Sequence, residues 1–330
     1  GGRGYRQLMA VYTTVTDDAL STYLADYDIG EATAFKGIAE GVENSNYYLE
    51  TTKGRFILTL FEKRADPADL PYFIALKQHL AANGFACPLP VAARDGEALR
   101  TLSGRPSVIV TFLQGLSPKT PNARQCRELG QGLARLHTAA ADFPLTRANT
   151  LGPKSWPSLW AGCERQAETL STDLVELIDA DLDALQQAQA LFTALPQGTI
   201  HADLFPDNAF FLGDRFTGAI DFYFACTDAL AYDLAICINA WAFEADGAFN
   251  FSKATNLISG YQSQRALSQA ERDAFPLLCL GAAMRFFLTR LIDWAETPPD
   301  ALVKPKDPLD FAKRLRFHRA TSSIRDYGSD

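Results

Sequence analysis

Residues 200–222, IHADLFPDNAFFLGDRFTGAIDF, hold four side chains whose types and spacing can do chemistry. The chain has only four histidines, and one of them, His201, stands two residues before Asp203. Asn208 follows five residues after that aspartate, and Asp221 thirteen residues after the asparagine. Pro206 restricts the backbone and biases Phe205 away from helix, so 201–208 reads as a tight loop. AFFL and FTGAIDF flank Gly213-Asp214-Arg215, the signature of a hairpin with a tight turn. A hairpin returns its second strand to the start of the first, which places Asp221 beside Asn208. One amide oxygen and one carboxylate then converge, a donor pair that suits a hard cation such as Mg²⁺, with phosphate and water completing its shell. Asp203, held nearby and not needed by the ion, is free to accept the proton of a hydroxyl. The bland account of the same residues is a polar loop with a satisfied histidine.

The flanking segments show what must position this loop. TDDALSTYLADYD (16–28) opens with a capping residue and continues at helical spacing. FKGIAEGVENSNYYLETTKGRFILTLFEKR then reads as strand, turn, strand, turn, strand, with Lys53-Gly54 making the second turn. ADLPYFIALKQHLAANG reads as a helix closed by Asn83-Gly84, and SVIVTFL (107–113) as a buried strand. From about residue 122 the pattern turns helical: RQCRELGQGLARLHTAA, LVELIDADLDALQQAQALFTAL, 229–245 and 252–295, interrupted only by 200–222. A β-rich first third followed by a helical remainder is an α+β order with two lobes. The expected boundaries are 9–113 for the first lobe, 114–121 for a connector and 122–330 for the second, with residues 1–8 an upstream remnant before Met9.

Bulk properties narrow the function classes. The 330 residues suffice for more than one core, and 47% hydrophobic with 21% charged residues is an ordinary globular composition. A net charge of −8 argues against a sequence-independent nucleic-acid binder, which needs clustered Lys and Arg. The six cysteines form no CxxC pair and have no histidine at zinc-finger spacing, so reduced thiols in the cytoplasm are the expectation. Phe275–Leu288, interrupted by Arg285, is expected to fall short of a membrane span, and GGRGYRQL lacks the apolar core of a signal peptide.

HxDxxxxN followed by a hairpin and an aspartate resembles the catalytic loop and metal-binding aspartate of the aminoglycoside-phosphotransferase/choline-kinase group, relatives of the protein kinases. The resemblance spans nearly the whole chain and implies a two-lobed protein-kinase-like fold: a small antiparallel β-sheet lobe and a larger, mostly helical one. It implies ATP and Mg²⁺ as cofactors, Asp203 as catalytic base, Asn208 and Asp221 as metal ligands, and His201 and Asp233 (in AYDLA) as structural supports of the loop. LARLH (133–137) is similar to the helix behind the site. In the first lobe, FKGIAEGVENSNYYLE is similar to a phosphate-covering loop, which assigns Lys36, Gly37, Gly41 and Asn46 to the nucleotide; TFLQG resembles the adenine hinge and assigns Thr111 and Leu113. A plain turn and a buried strand end are the competing accounts. The chain departs from the kinase pattern at one ion pair: Thr59 stands at the position of the usual lysine and Phe73 at that of its glutamate. Lys63, Lys36 and Arg55 are the cations near enough in sequence to compensate.

The acceptor is narrowed by two further likenesses. ENSNYYLETTKGRFILTLFE resembles the N-terminal strands of bacterial homoserine kinases within this superfamily, and AAMRFFLTRLIDW (282–294) their late helix. That implies an amino acid with a hydroxyl, with Arg285, Phe222 and Tyr223 as substrate-binding residues, although Arg290 and Asp293 pairing on one helix is as good a reading of that stretch. An aminoglycoside, methylthioribose or choline acceptor stays open, the last because Phe222, Tyr223, Trp241 and Phe243 could wall a quaternary ammonium. Two readings of other classes also stand: a metal-dependent phosphate-ester hydrolase and a nucleotide-binding regulatory module. No membrane or nucleic-acid partner is expected, and the chain is read as a monomer or homodimer.

Overall fold

A computed structural model describes residues 13–38, 44–62, 66–301 and 304–330. Met9, Gly41 and Lys63 lie outside the described residues. The chain divides into two units between Gln114 and Gly115.

In the first unit, helix α1 (Asp17–Leu24) starts where the Thr16 hydroxyl oxygen accepts from Ala19 N, with Asp17 and Asp18 at the positive end of the helix. Strands β1 (Ala32–Gly37), β2 (Asn44–Thr51) and β3 (Gly54–Phe61) follow as an antiparallel meander, with Thr51 opposite Gly54 across the turn. Helix α2 (Leu70–Ala82), strand β4 (Arg100–Leu102) and strand β5 (Arg105–Thr111) complete a five-stranded sheet in the order β1-β2-β3-β5-β4. β2 alternates along its length, so Tyr47 and Leu49 join Leu58, Leu60 and Ile109 in the core beneath α1.

The second unit opens with α3 (Ala123–Ala139), capped by Asn122 and Gln125 reciprocally. α4 (Trp156–Leu170), α5 (Leu174–Gln187) and α6 (Gln189–Ala194) follow. The stretch predicted as one helix from 174 to 195 is broken at Ala188, which caps one helix and starts the next. Then come β6 (Gln197–Ile200), β7 (Ala209–Leu212), β8 (Arg215–Ala219) and β9 (Cys226–Ala229), and helices α7 (Leu230–Trp241), α8 (Phe251–Gln262), α9 (Gln269–Glu296) and α10 (Leu309–Arg319). β7 and β8 form the expected hairpin, and β6 pairs antiparallel with β9.

α9 departs from expectation in length. Its 28 residues are long and apolar enough to cross a membrane by length and composition, yet 72% of its apolar window is buried inside the protein, where it packs on α4, α7 and α10. Arg285 does not truncate it, because the guanidinium finds partners within the core.

α3 and α8 approach closely through glycine. A Cβ on Gly130 would collide with the Leu257 carbonyl and lie 2.8 Å from Tyr261 N, and one on Gly260 would collide with the Arg127 carbonyl. Alanine ordinarily gains ~1 kcal/mol over glycine in a helix, whereas forcing two packed backbones apart costs ~1–3 kcal/mol. Gly130→Ala is therefore expected to lower the melting temperature by a few degrees; an equal or higher midpoint in thermal denaturation would contradict this.

Candidate active site

The loop 201–208 is held from behind by one buried carboxylate. Asp233, in the first turn of α7, accepts the backbone N–H of His201 at Oδ2 and that of Ala202 at Oδ1, both at 2.9 Å. It also accepts from His137 Nε2 at 2.8 Å, and the Tyr261 hydroxyl lies 2.8 Å from the other nitrogen of that ring. Burial alone would raise the Asp233 carboxyl, but the His137 hydrogen bond and the neighbouring histidines and amide pull it below the usual aspartate range. Ala202 needs this support, because it sits at φ +67°, a left-handed conformation an L residue adopts at a cost of ~1–3 kcal/mol. The Trp241 indole N–H donates to Leu204 O at 2.8 Å, and the Arg285 guanidinium donates to Ala202 O, so the loop is pinned at three successive points.

His201 is fully buried and neutral by its partners. Nδ1 accepts the Asp203 N–H at 3.1 Å, which leaves Nε2 as the donor to Ile220 O at 2.9 Å. Burial pushes its titration below the ordinary histidine value. It ties the loop to the far end of the hairpin, and Ile220, one residue past β8, donates its N–H to Asn208 O at 2.9 Å. The return of β8 thus sets residue 220 against both 201 and 208. Asp221 follows at φ +58°, a second non-glycine residue in the left-handed region.

Asn208 Nδ2 donates to Asp203 O at 2.8 Å and to Asp203 Oδ2 at 3.2 Å. Its amide is therefore oriented: nitrogen toward Asp203, with Oδ1 as the remaining acceptor. That oxygen and the Asp221 carboxylate are both hard donors, and among the described residues no cluster of three His, Cys, Asp or Glu competes as a metal site. This donor pair fits a cation that takes most of its ligands from phosphate and water. Burial and the charge of Asp221 push the Asp203 carboxyl up to about 8, against the opposing pull of Arg285.

Phe222 is fully buried with its ring 4.8 Å from His201, so it lies under the loop rather than against a substrate. Tyr223 is half-buried. Arg285 is 2% exposed, lies 4.3 Å over Phe286 and 5.3 Å over Phe224, and faces the loop's carbonyl, not solvent. In the first unit, Lys36 is exposed on β1 and Gly37 pairs with Tyr47. Asn46 Oδ1 accepts the Thr59 hydroxyl at 2.8 Å, so the residue in the lysine's place is bound to a predicted nucleotide residue directly across the sheet. The Thr111 N–H is engaged by Leu89 O at 2.9 Å and its hydroxyl by Leu89 N at 2.8 Å, which removes its amide as an adenine contact; Leu113 makes no backbone hydrogen bond among the described residues. Arg55 lies 4.7 Å over the Phe112 ring. Sequence reasoning missed Tyr261 and the parts His137 and Trp241 play in anchoring the loop: the likeness places LARLH behind the site without a role for its histidine, and Trp241 reads as a wall for an ammonium, whereas its indole N–H holds Leu204 O. Besides the likeness of LARLH, the signal for His137 was a histidine on the apolar face of an amphipathic helix, which fits core packing equally well.

The comparisons with known proteins fit this geometry. A phosphotransferase enzyme family model matches residues 34–267. A homoserine kinase from Hyphomonas neptunium is 63% identical over 328 residues, 97% of this chain and 100% of the relative. A homoserine kinase from Bradyrhizobium diazoefficiens is 56% identical over 321 residues, covering 97% and 98%. Among solved structures, amicoumacin kinase in complex with AMP-PNP and Ca²⁺ superposes with a TM-score of 0.67 at 17% identity over 92% of this chain and 91% of that one.

Proposed function

The chain belongs to the phosphotransferase enzyme family, and from that premise we propose that it transfers the γ-phosphoryl group of ATP to the hydroxyl of L-homoserine, giving O-phospho-L-homoserine and ADP. The reading is supported by the names of relatives more than half identical over nearly the full chain. The observation that carries the mechanism is the oriented amide of Asn208, whose nitrogen points to Asp203 and whose oxygen is left for a cation beside Asp221. O-phosphohomoserine formation serves threonine biosynthesis. Six buried thiols are consistent with a cytoplasmic setting.

Asp203 orients the acceptor hydroxyl and receives its proton as the new P–O bond forms and the bond to the ADP oxygen breaks. Asn208 and Asp221 would hold Mg²⁺, which when bound supplies neutralisation of the charge on the transferring phosphate oxygens. His201 and Asp233 act through the backbone, fixing the loop so that the carboxylate is already aimed; a pre-aimed group loses no orientational freedom at the moment of reaction. Arg285 holds the Ala202 carbonyl. For the nucleotide we assign the β1–β2 segment around Lys36, Gly37 and Asn46, and Leu113 for adenine.

The test is acceptor-dependent ADP release across homoserine, choline, methylthioribose and an aminoglycoside. Turnover with homoserine alone is the expected result; ADP release without any acceptor, or nucleotide binding without turnover, would replace this reading with a hydrolase or a regulatory module. Asp221→Ala is expected to weaken Mg·ATP binding by tenfold or more, since one of only two proposed protein ligands is lost, by roughly the 1–3 kcal/mol of a charged contact. Unchanged nucleotide affinity in titrations would exclude Asp221 as a ligand.

A further inference from the structure

Four cations gather on a row of three aromatic rings that leads away from the catalytic loop. Phe205, two residues beyond Asp203, packs edge-on against Phe286 with centroids 4.8 Å apart, and Phe286 lies 5.6 Å from Phe311. Lys306 Nζ stands 5.7 Å from the Phe205 ring, Arg285 is over Phe286, and Arg290 and Arg314 lie 4.3 and 4.5 Å over Phe311. Two guanidiniums therefore share one ring. Among the described residues none of the four has a carboxylate within ion-pair distance. Arg285 donates to Ala202 O, and Arg314 donates to Asn239 O and Asp310 O. Arg290, half-buried on α9, has no hydrogen bond to any described residue.

A partly desolvated guanidinium with five unused donors beside another guanidinium is unfavourable unless something anionic arrives. Among the described residues the one close cation–π contact of Arg290 is the Phe311 face, and such attraction is worth no more than ~1–2 kcal/mol. Burial weighs against the charged form of Arg290 and lowers its titration, and Asp310, Asp203, Asp207 and Asp307 lie within electrostatic reach and oppose that shift.

Resting on the reading that the chain phosphorylates homoserine, we propose that Arg290 receives the α-carboxylate of the amino acid, with Lys306 as a second cation, and so selects amino-acid acceptors over simple amino alcohols. An extended homoserine spans about 5 Å from carboxylate carbon to hydroxyl oxygen by ordinary bond lengths, so its two ends can meet different side chains. The row of rings joins Arg290 on Phe311, through Phe286, to Phe205, two residues beyond Asp203. Arg285, the residue the sequence suggested for this task, is already committed beneath the loop. A planar guanidinium fits a carboxylate through two parallel hydrogen bonds, which a choline or a neutral alcohol cannot offer.

The experiment compares kcat/KM for L-homoserine and for 3-aminopropan-1-ol, its counterpart without the carboxylate, in the wild-type chain, Arg290→Met and Arg290→Lys. The wild type is expected to prefer homoserine by at least about 10²-fold, the usual scale of a desolvated charged pair. In Arg290→Met that preference should collapse to below tenfold, chiefly through KM for homoserine. Arg290→Lys, which keeps a point charge but not the fork, should fall between. If both substrates decline together in Arg290→Met, so that the preference is unchanged, Arg290 is not the carboxylate's partner, whatever the variant's stability. If the wild type turns over no homoserine at all, the acceptor assignment itself fails, and this inference with it.

Discussion

Asp203→Asn is expected to lower kcat with homoserine by about 10³-fold, within the 10²–10⁴-fold range of general-base assistance, while Mg·ATP affinity changes little. The substitution keeps the shape of the side chain and leaves Asn208 and Asp221, the groups assigned to the ion, in place. Retention of more than a tenth of wild-type turnover would remove Asp203 from the mechanism. A pH series adds a second readout. The carboxyl must be ionised to accept a proton, and burial together with Asp221 holds it at about 8 in the metal-free chain. The kcat/KM for the acceptor should therefore rise with pH through a limb that lies below 8 once a cation offsets the Asp221 charge, and the residual rate of Asp203→Asn should lack that limb. The same shift has a stability consequence whose sign is opposite to the activity loss. A carboxyl raised on folding contributes fully below its unfolded value of 3.8 and that contribution is lost as pH rises through the folded value near 8. Asp203→Asn should thus melt higher than wild type at pH 8 and no higher at pH 4, which separates lost chemistry from lost structure.

The second large effect is expected at Asp233. Removing its carboxylate leaves the N–H groups of His201 and Ala202 and the His137 ring facing a buried void. Stripping one partner from a buried charged network costs ~3–5 kcal/mol, so Asp233→Ala should lower the melting temperature by roughly 10 °C. Turnover should fall with it, because the left-handed turn at Ala202 loses its anchor. The carboxyl is held below its ordinary value of 3.8, so its contribution is present above that pH and fades as pH falls through the lower folded value. The gap between wild type and variant should accordingly narrow in acid below about pH 4. A variant that melts within two degrees of wild type at pH 7 would show that the amides find other partners.

What the sequence made legible follows from contact order. His201, Asp203, Asn208 and Asp221 lie on one loop and one hairpin, so turn chemistry and a return strand suffice to bring them together. The antiparallel meander β1–β2–β3 was legible for the same reason: alternation and a Lys53-Gly54 turn are local signals. The β6–β9 pair was not, because QGTI and CTDA are too short to show a period and are joined only by the tertiary fold. His137 reaches Asp233 from another helix and is itself held by Tyr261 from a third, across a glycine-lined crossing that spacing rules do not describe. Arg285 and Arg290 illustrate a different blind spot. Both look alike in the string AAMRFFLTRLIDW, yet five residues along α9 separate a guanidinium locked on a loop carbonyl from one left facing Phe311. Periodicity gives the faces of a helix, but only packing says which cation has found a partner on the loop and which has not. Thr59 is a fourth case: its place in the ladder was readable, its bond to Asn46 was not.

The most direct test of the account is where a divalent ion binds. Crystals of the chain with Mn²⁺ and a non-hydrolysable ATP analogue should show anomalous density between the amide oxygen of Asn208 and the carboxylate of Asp221, with Asp203 outside the coordination shell and open to the acceptor. Density centred on Asp203, or on neither Asn208 nor Asp221, would contradict it.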